Sequence, residues 1–198
     1  MWAVHLDIVV GVFVIIFVAE LPDKTMIATL VMGSRYRPVL VWLGATLAFG
    51  LHAALAVLAG RLLALLPHAW VEGVTALLFA GGAAYLLLVS EEEQEEEGEE
   101  EVEAAPEGLR PVATAFVVIL VGEFGDLTQI LTANLAAKYH QPLAVFIGSW
   151  TALAAVAAIG AFGGRALLKV LPLAVIRKAG GVLLAGFAVY TVVTLVTA

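Results

Sequence analysis

The sequence predicts an all-α integral membrane protein, six transmembrane helices arranged as two inverted three-helix repeats. Three observations carry that expectation. The 198 residues are 62% hydrophobic with a mean hydropathy of +1.02, whereas soluble domains sit near half apolar. The apolar residues gather into six runs, each long enough to cross about 30 Å of hydrocarbon, which takes about 20 helical residues. Short motifs also recur in order along the chain at a nearly constant offset.

The six runs cover roughly 6–33, 39–66, 70–90, 111–137, 142–171 and 175–197. Some exceed the length of one crossing, which leaves room for tilt or for breaks. Turn-forming stretches punctuate them: "GSRYRP" after the first, "LPHAW" between the second and third, "KYHQP" between the fourth and fifth, and "LPLAVIRK" between the last two. Trp2, Trp42 and Trp70 fall near run ends, where interfacial aromatics are expected. The start, "MWAVHLD", lacks a basic n-region and a cleavage site, so the first run reads as a mature helix rather than a signal peptide. With no cysteine in the chain, disulfides, thiolate metal sites and thiol chemistry are excluded.

The net charge of −7 belongs to one segment. Eleven of the 17 acids lie between Glu91 and Glu107, and the rest of the chain carries an excess of basic residues. The stretch "EEEQEEEGEEEVEAAPEGLRP" has no apolar surface to bury and repels itself, so it reads as a solvated, largely disordered linker. It divides the chain into a first repeat at 1–90, an acidic linker at 91–110 and a second repeat at 111–198.

The two halves echo each other. "AELPDKT" at 19–25 answers "GEFGDLT" at 122–128, "AGRLLALLP" at 59–67 answers "GGRALLKVLP" at 163–172, and "AGGAAY" at 80–85 answers "AGFAVY" at 185–190. Three spans per half reverse the direction of the second copy. Inverted repeats of this kind are the layout of many secondary transporters, whose sites lie at the repeat interface near mid-membrane. Arg35, Arg37, Arg110, Arg165, Lys169, Arg177 and Lys178 fall on one face, and only Arg61 and Lys138 on the other. The positive-inside rule makes the first face cytoplasmic, with both termini outside and the acidic linker inside; the expected location is a bacterial inner membrane.

Ionisable groups inside a membrane are costly and usually face the bundle interior or an aqueous cavity. Glu20 and Asp23 are three residues apart, as are Glu123 and Asp126, a spacing that puts each pair on one helix face. A pseudo-two-fold axis would bring up to four carboxylates to one mid-membrane site. These cannot all stay ionised there without protons or a metal ion. An all-oxygen set, with Thr25, Thr128 and Gln129 nearby, suits Ca²⁺, Mn²⁺ or Mg²⁺ rather than zinc or copper. Asn134 is a weaker candidate on the same face. Pro22 removes a donor and frees the carbonyl near Val18, and Gly125 loosens the matching point, so both motifs predict broken helices whose carbonyls face a cation path. Protons and a divalent ion competing for the same carboxylates, with alternating access, would yield antiport.

These paired E-x-G-D-[KR]-[ST] motifs, six spans and a central acidic loop resemble uncharacterised protein family 0016, which holds the Gdt-type Golgi proteins and bacterial manganese exporters and is cation-exchanger-like. The resemblance covers the whole chain. It implies a secondary transporter, not an enzyme, that moves Mn²⁺ and/or Ca²⁺ in exchange for H⁺. It implies no cofactor, and partners limited to the metal ion and the lipid bilayer, without nucleic acid; homo-oligomerisation is left open. It carries the cation-site role to Glu20, Asp23, Glu123 and Asp126, with Thr25 and Thr128 in support, and it implies export from the cytoplasm. The chain departs from the pattern at Pro22, in place of the first motif's Gly, and at Leu127, in place of the second motif's basic residue.

The same residues admit other readings. The acids as structural glue are an expensive device, since polar contacts between membrane helices contribute about 1 kcal/mol or less. Lys24 either pairs with Glu20 at i,i+4 or snorkels. The linker is a spacer or a collector of divalent ions. His52 is a packed helix-face residue or a proton relay, His68 and His140 are loop residues, and Arg61 and Arg165 snorkel to headgroups. An exporter of another metal or an amino acid, or a passive cation channel, would use the same repeats. An intramembrane aspartyl protease would need G-x-G-D, and Phe124 stands where its first Gly should be. No H-E-x-x-H is present, which removes a zinc protease.

Overall fold

The structure, a computed structural model, describes residues 5–21, 23–88, 90–106, 109–170 and 173–197. Within them the chain is helical, without strands: α1 Leu6–Glu20, α2 Lys24–Arg35, α3 Pro38–Leu63, α4 His68–Leu88, α5 Glu91–Glu103, α6 Pro111–Gly122, α7 Leu127–Tyr139, α8 Pro142–Val170 and α9 Leu173–Thr197. Pro38, Pro111 and Pro142 open α3, α6 and α8, the helix position at which proline loses no hydrogen bond.

The six apolar runs do not become six straight spans. Among the described residues α3, α4, α8 and α9 are each long and apolar enough to cross a membrane, and α6 with α7 makes a fifth candidate bent by 73°. The first run is divided into α1, of 15 residues, and α2, of 12. At 1.5 Å per residue neither reaches across about 30 Å alone. The chain is a multi-pass membrane protein built on these helices.

The acidic segment is a helix, not a disordered linker. Ser90 and Glu93 close a capping box at its start, and the bonds from Ser90 hold the Glu93 carboxyl below its usual value. The helix then docks on α2: Gly98 lies against Ile27 and the Lys24 carbonyl, and Val102 is buried. A purely electrostatic reading missed these two residues, which interrupt the glutamates at a spacing of four and give the helix an apolar stripe.

The long apolar helices are hydrophobic on most faces, and small residues mark much of the inward face. On α3, Gly44, Ala45, Ala48, Ala53, Ala56 and Gly60 are buried, while Leu47, Leu51, Leu55, Leu58 and Leu62 are exposed. Small residues let backbones approach, and the larger leucines suit lipid. α3 packs on α6, α7 and α8; α8 packs on α1, α2 and α3; α4 packs on α9. The two central helices exchange indole hydrogen bonds, Trp42 Nε1 to the Ala154 carbonyl and Trp150 Nε1 to the Thr46 carbonyl, both 2.9 Å. Trp42 thus serves helix packing rather than the interface expected of it, whereas Trp70 is exposed at a helix start. Trp2 lies outside the described residues, as do Pro22, Leu171 and Pro172 and the side chains of Arg165 and Lys169.

Candidate cation site

Both motifs sit where a helix stops and another begins. Glu20 is the last residue of α1, and Asp23 is the N-cap of α2. Glu123 caps the C-terminus of α6, and Asp126 is the N-cap of α7. The expected shared helix face is therefore replaced by a shared turn: the Asp23 N–H donates to the Glu20 carbonyl at 3.0 Å, and the Asp126 N–H to the Glu123 carbonyl at 3.3 Å. In the second motif Gly125 takes φ +84, a left-handed conformation that favours glycine. Pro22, at the equivalent place in the first motif, lies outside the described residues. The Val18 carbonyl lies against Gly180 of α9.

The turns gather the acids. Glu20, Asp23 and Asp126 each present an oxygen within 4.8 Å of the others. Glu123 stands outside that triad and joins it through Thr25, whose hydroxyl bonds to Glu20 Oε1 at 2.6 Å and to Glu123 Oε1. Thr128 stands beside Glu20, so each motif's threonine faces the other motif's glutamate. Glu20, Thr25, Glu123 and Thr128 are buried. Glu20 Oε2, Glu123 Oε2 and Asp126 Oδ2 are buried with no hydrogen-bond partner. A hydroxyl has one proton and can donate to only one carboxylate, so Thr25 between two of them requires a proton on one acid or a shared cation.

The two aspartates are not equivalent. Asp23 Oδ1 accepts from the Lys24 N–H at 2.8 Å and from the Tyr85 hydroxyl at 3.1 Å. Asp126 makes no side-chain cap bond, which leaves its carboxylate the freer ligand. Both lie at helix N-termini, where the helix dipole favours negative charge.

Gln129 and Asn134 commit side-chain amide groups to protein partners. The Gln129 carbonyl accepts from the Gly125 N–H at 2.7 Å, and its amide contacts His52 Nδ1 at 2.9 Å. It shapes the turn that carries Asp126. Asn134 donates back to the Ile130 carbonyl at 3.1 Å. Lys24 neither pairs with Glu20 nor snorkels. Its ammonium reaches Glu101 Oε1 of α5 at 3.2 Å and the Gly122 carbonyl at the end of α6 at 3.1 Å. Sequence reasoning missed Glu101 among so many glutamates, and missed Tyr85, which lies in one of the repeated stretches.

A cavity of about 420 Å³ opens on the aspartates, lined among others by Asp23, Lys24, Tyr85, Glu97, Asp126 and Thr128. A separate small pocket of about 10 Å³ lies beside Glu123, between Phe49, His52, Gln129, Thr132 and Leu153. A larger groove of about 730 Å³ between α4 and α9 is lined by Trp70 and small or aliphatic residues; it holds no ionisable group and offers nothing to a cation.

Comparison with known proteins agrees with this chemistry. The chain is 28% identical to Protein PAM71, chloroplastic, from Arabidopsis thaliana over 93% of its own length, and spans only 56% of that relative. It is 28% identical to GDT1-like protein sll0615 from Synechocystis sp., over 88% of this chain and 91% of the relative. No solved structure matches it. Over residues 8–94 and 111–198 it matches the family described as divalent cation/proton antiporter GDT1, and the chain belongs to that family of transporters.

Proposed function

We propose that this chain is a secondary transporter that moves Mn²⁺ and/or Ca²⁺ in exchange for H⁺ through the carboxylates of Glu20, Asp23, Glu123 and Asp126. The observation that carries the reading is the triad of oxygens within 4.8 Å, together with buried carboxylate oxygens that lack any partner. Hard divalent ions take such oxygen sets. Thr25 and Thr128 supply neutral oxygens, and Gln129 supports the site from behind. The family is one of transporters rather than enzymes and implies no cofactor, the moved ions being substrates.

The exchange follows from charge. A divalent ion neutralises two carboxylates, and its departure leaves buried like charges that protons must then neutralise. Cation and protons exclude one another at the same oxygens, and a cavity open on one side at a time turns that exclusion into coupled exchange.

We read the halves 1–90 and 111–198 as inverted repeats. The packing supports this: α3 on α6 and α7 mirrors α8 on α1 and α2. A Cβ on Gly44 would strike the Val112 carbonyl and Ala115 Cβ, and one on Gly148 would strike the Val9 carbonyl and Val12 Cβ. These are the same positions with the halves exchanged. The six-span topology, with α1–α2 and α6–α7 as broken spans, and the bacterial inner-membrane orientation with outside termini and α5 in the cytoplasm belong to the same reading.

The test is reconstitution in vesicles with an internal pH dye. Mn²⁺ or Ca²⁺ added outside is expected to drive proton movement that depends on the metal. Metal flux without proton coupling would replace the antiporter with a passive channel; no flux of either ion would point to another substrate.

A further inference from the structure

Lys24 sits next to a cation site and carries a cation of its own. Its ammonium lines the same cavity as Asp23, Glu97 and Asp126 and lies within the electrostatic reach of Glu123 and Asp126. It is bonded instead to Glu101 at 3.2 Å, with both side chains 17% exposed, and to the Gly122 carbonyl. Glu101 is fixed in place, because α5 docks through Gly98 on Ile27 and through the buried Val102. The second motif has Leu127 at the equivalent position, seated against Gly82 of α4, and needs no such anion.

We propose that Glu101 is a positioning residue for the cation site: it holds the Lys24 ammonium at the end of α6 and keeps this tethered charge from settling among the motif carboxylates in place of a divalent ion. This rests on the cation-site reading above. A half-buried ammonium that loses its anion is left with neutral acceptors alone. Glu123 and Asp126, two of the carboxylates read as binding the cargo, remain within its electrostatic reach. A lysine that reaches them acts as a competing ion at high effective concentration, since it is covalently attached.

The test is equilibrium Mn²⁺ binding to the full chain in detergent, read from the paramagnetic resonance signal of free Mn²⁺, with circular dichroism confirming the fold. Glu101→Gln is expected to weaken binding about tenfold, and Lys24→Met combined with Glu101→Gln to restore it to within about threefold of the parent. If Glu101 only scaffolds α5, the double variant binds as weakly as Glu101→Gln or worse. That result, or an unchanged affinity in Glu101→Gln, overturns the proposal while the cation site stands. A parent chain that binds no Mn²⁺ overturns the cation-site reading and this proposal together.

Discussion

The Thr25 hydroxyl of the first motif bonds to the Glu123 carboxylate of the second, 98 residues away in the chain. The same oxygen bonds to Glu20 at 2.6 Å, so one small side chain joins the two motifs. Thr25→Val keeps the shape and removes the hydroxyl, leaving two buried glutamates without their shared partner. Mn²⁺ uptake in vesicles is expected to lose about 10–100-fold in apparent affinity. Thr25→Ser, which keeps the oxygen, is expected to stay near the parent.

The motif acids are expected to be far less tolerant. Glu123→Gln and Asp23→Asn preserve volume but remove a charge that the divalent ion must find. Each is expected to abolish metal-driven proton movement while circular dichroism and the detergent melting midpoint stay near parental values. Near-normal flux in both variants would remove these residues from the site. Asp126→Asn is expected to be at least as severe as Asp23→Asn, because Asp23 also bonds Tyr85 and its own helix whereas Asp126 makes no cap bond.

Gly44 and Gly148 make the same close approach on opposite halves. A Cβ on Gly44 would come to 2.9 Å from Ala115 Cβ and 3.0 Å from the Phe116 nitrogen, and one on Gly148 to 2.7 Å from the Val9 carbonyl and 2.9 Å from Val12 Cβ. These obstacles include backbone, which cannot rotate away. Gly44→Ala and Gly148→Ala are each expected to destabilise by about 1–3 kcal/mol, read as lower melting midpoints in detergent. Gly73→Ala, in α4 where nothing lies within 4 Å, is the control and is expected to be neutral or stabilising by up to about 1 kcal/mol. Similar losses in the first two fit a two-fold arrangement of the repeats; a loss at only one would argue against it.

How far the sequence led is clearest at these motifs. Charge in an apolar run, twice at a fixed offset, points to Glu20, Asp23, Glu123 and Asp126 with their neighbouring threonines, because burial makes charge expensive wherever it stands, and the structure brings these residues together. The acids do not meet through helical spacing: a turn lies between each Glu and Asp, and local bonds such as Asp23 N–H to the Glu20 carbonyl decide that geometry. The partners of Lys24 were illegible for a different reason. Eleven glutamates in the acidic segment are equivalent by composition, and only the docking of Gly98 and Val102 selects Glu101. The role of Gln129 was hidden because a side-chain amide serves a turn or a cation equally well until its neighbours are known.

Proton competition gives the last prediction a definite sign. Binding a divalent ion to carboxylates that hold protons must release those protons. Thr25 lies between two carboxylates with only one proton to give, an arrangement completed by a proton on one acid or by the ion. The affinity for Mn²⁺ is therefore expected to rise with pH across the range where the acids titrate as a group. A plot of log affinity against pH should have a slope of about one to two protons per ion. Glu123→Gln removes one titrating acid and should flatten that slope as well as weaken binding. Affinity that is flat with pH in the parent chain would mean that protons and metal do not share these oxygens, and the coupling would then have to run through groups outside the two motifs.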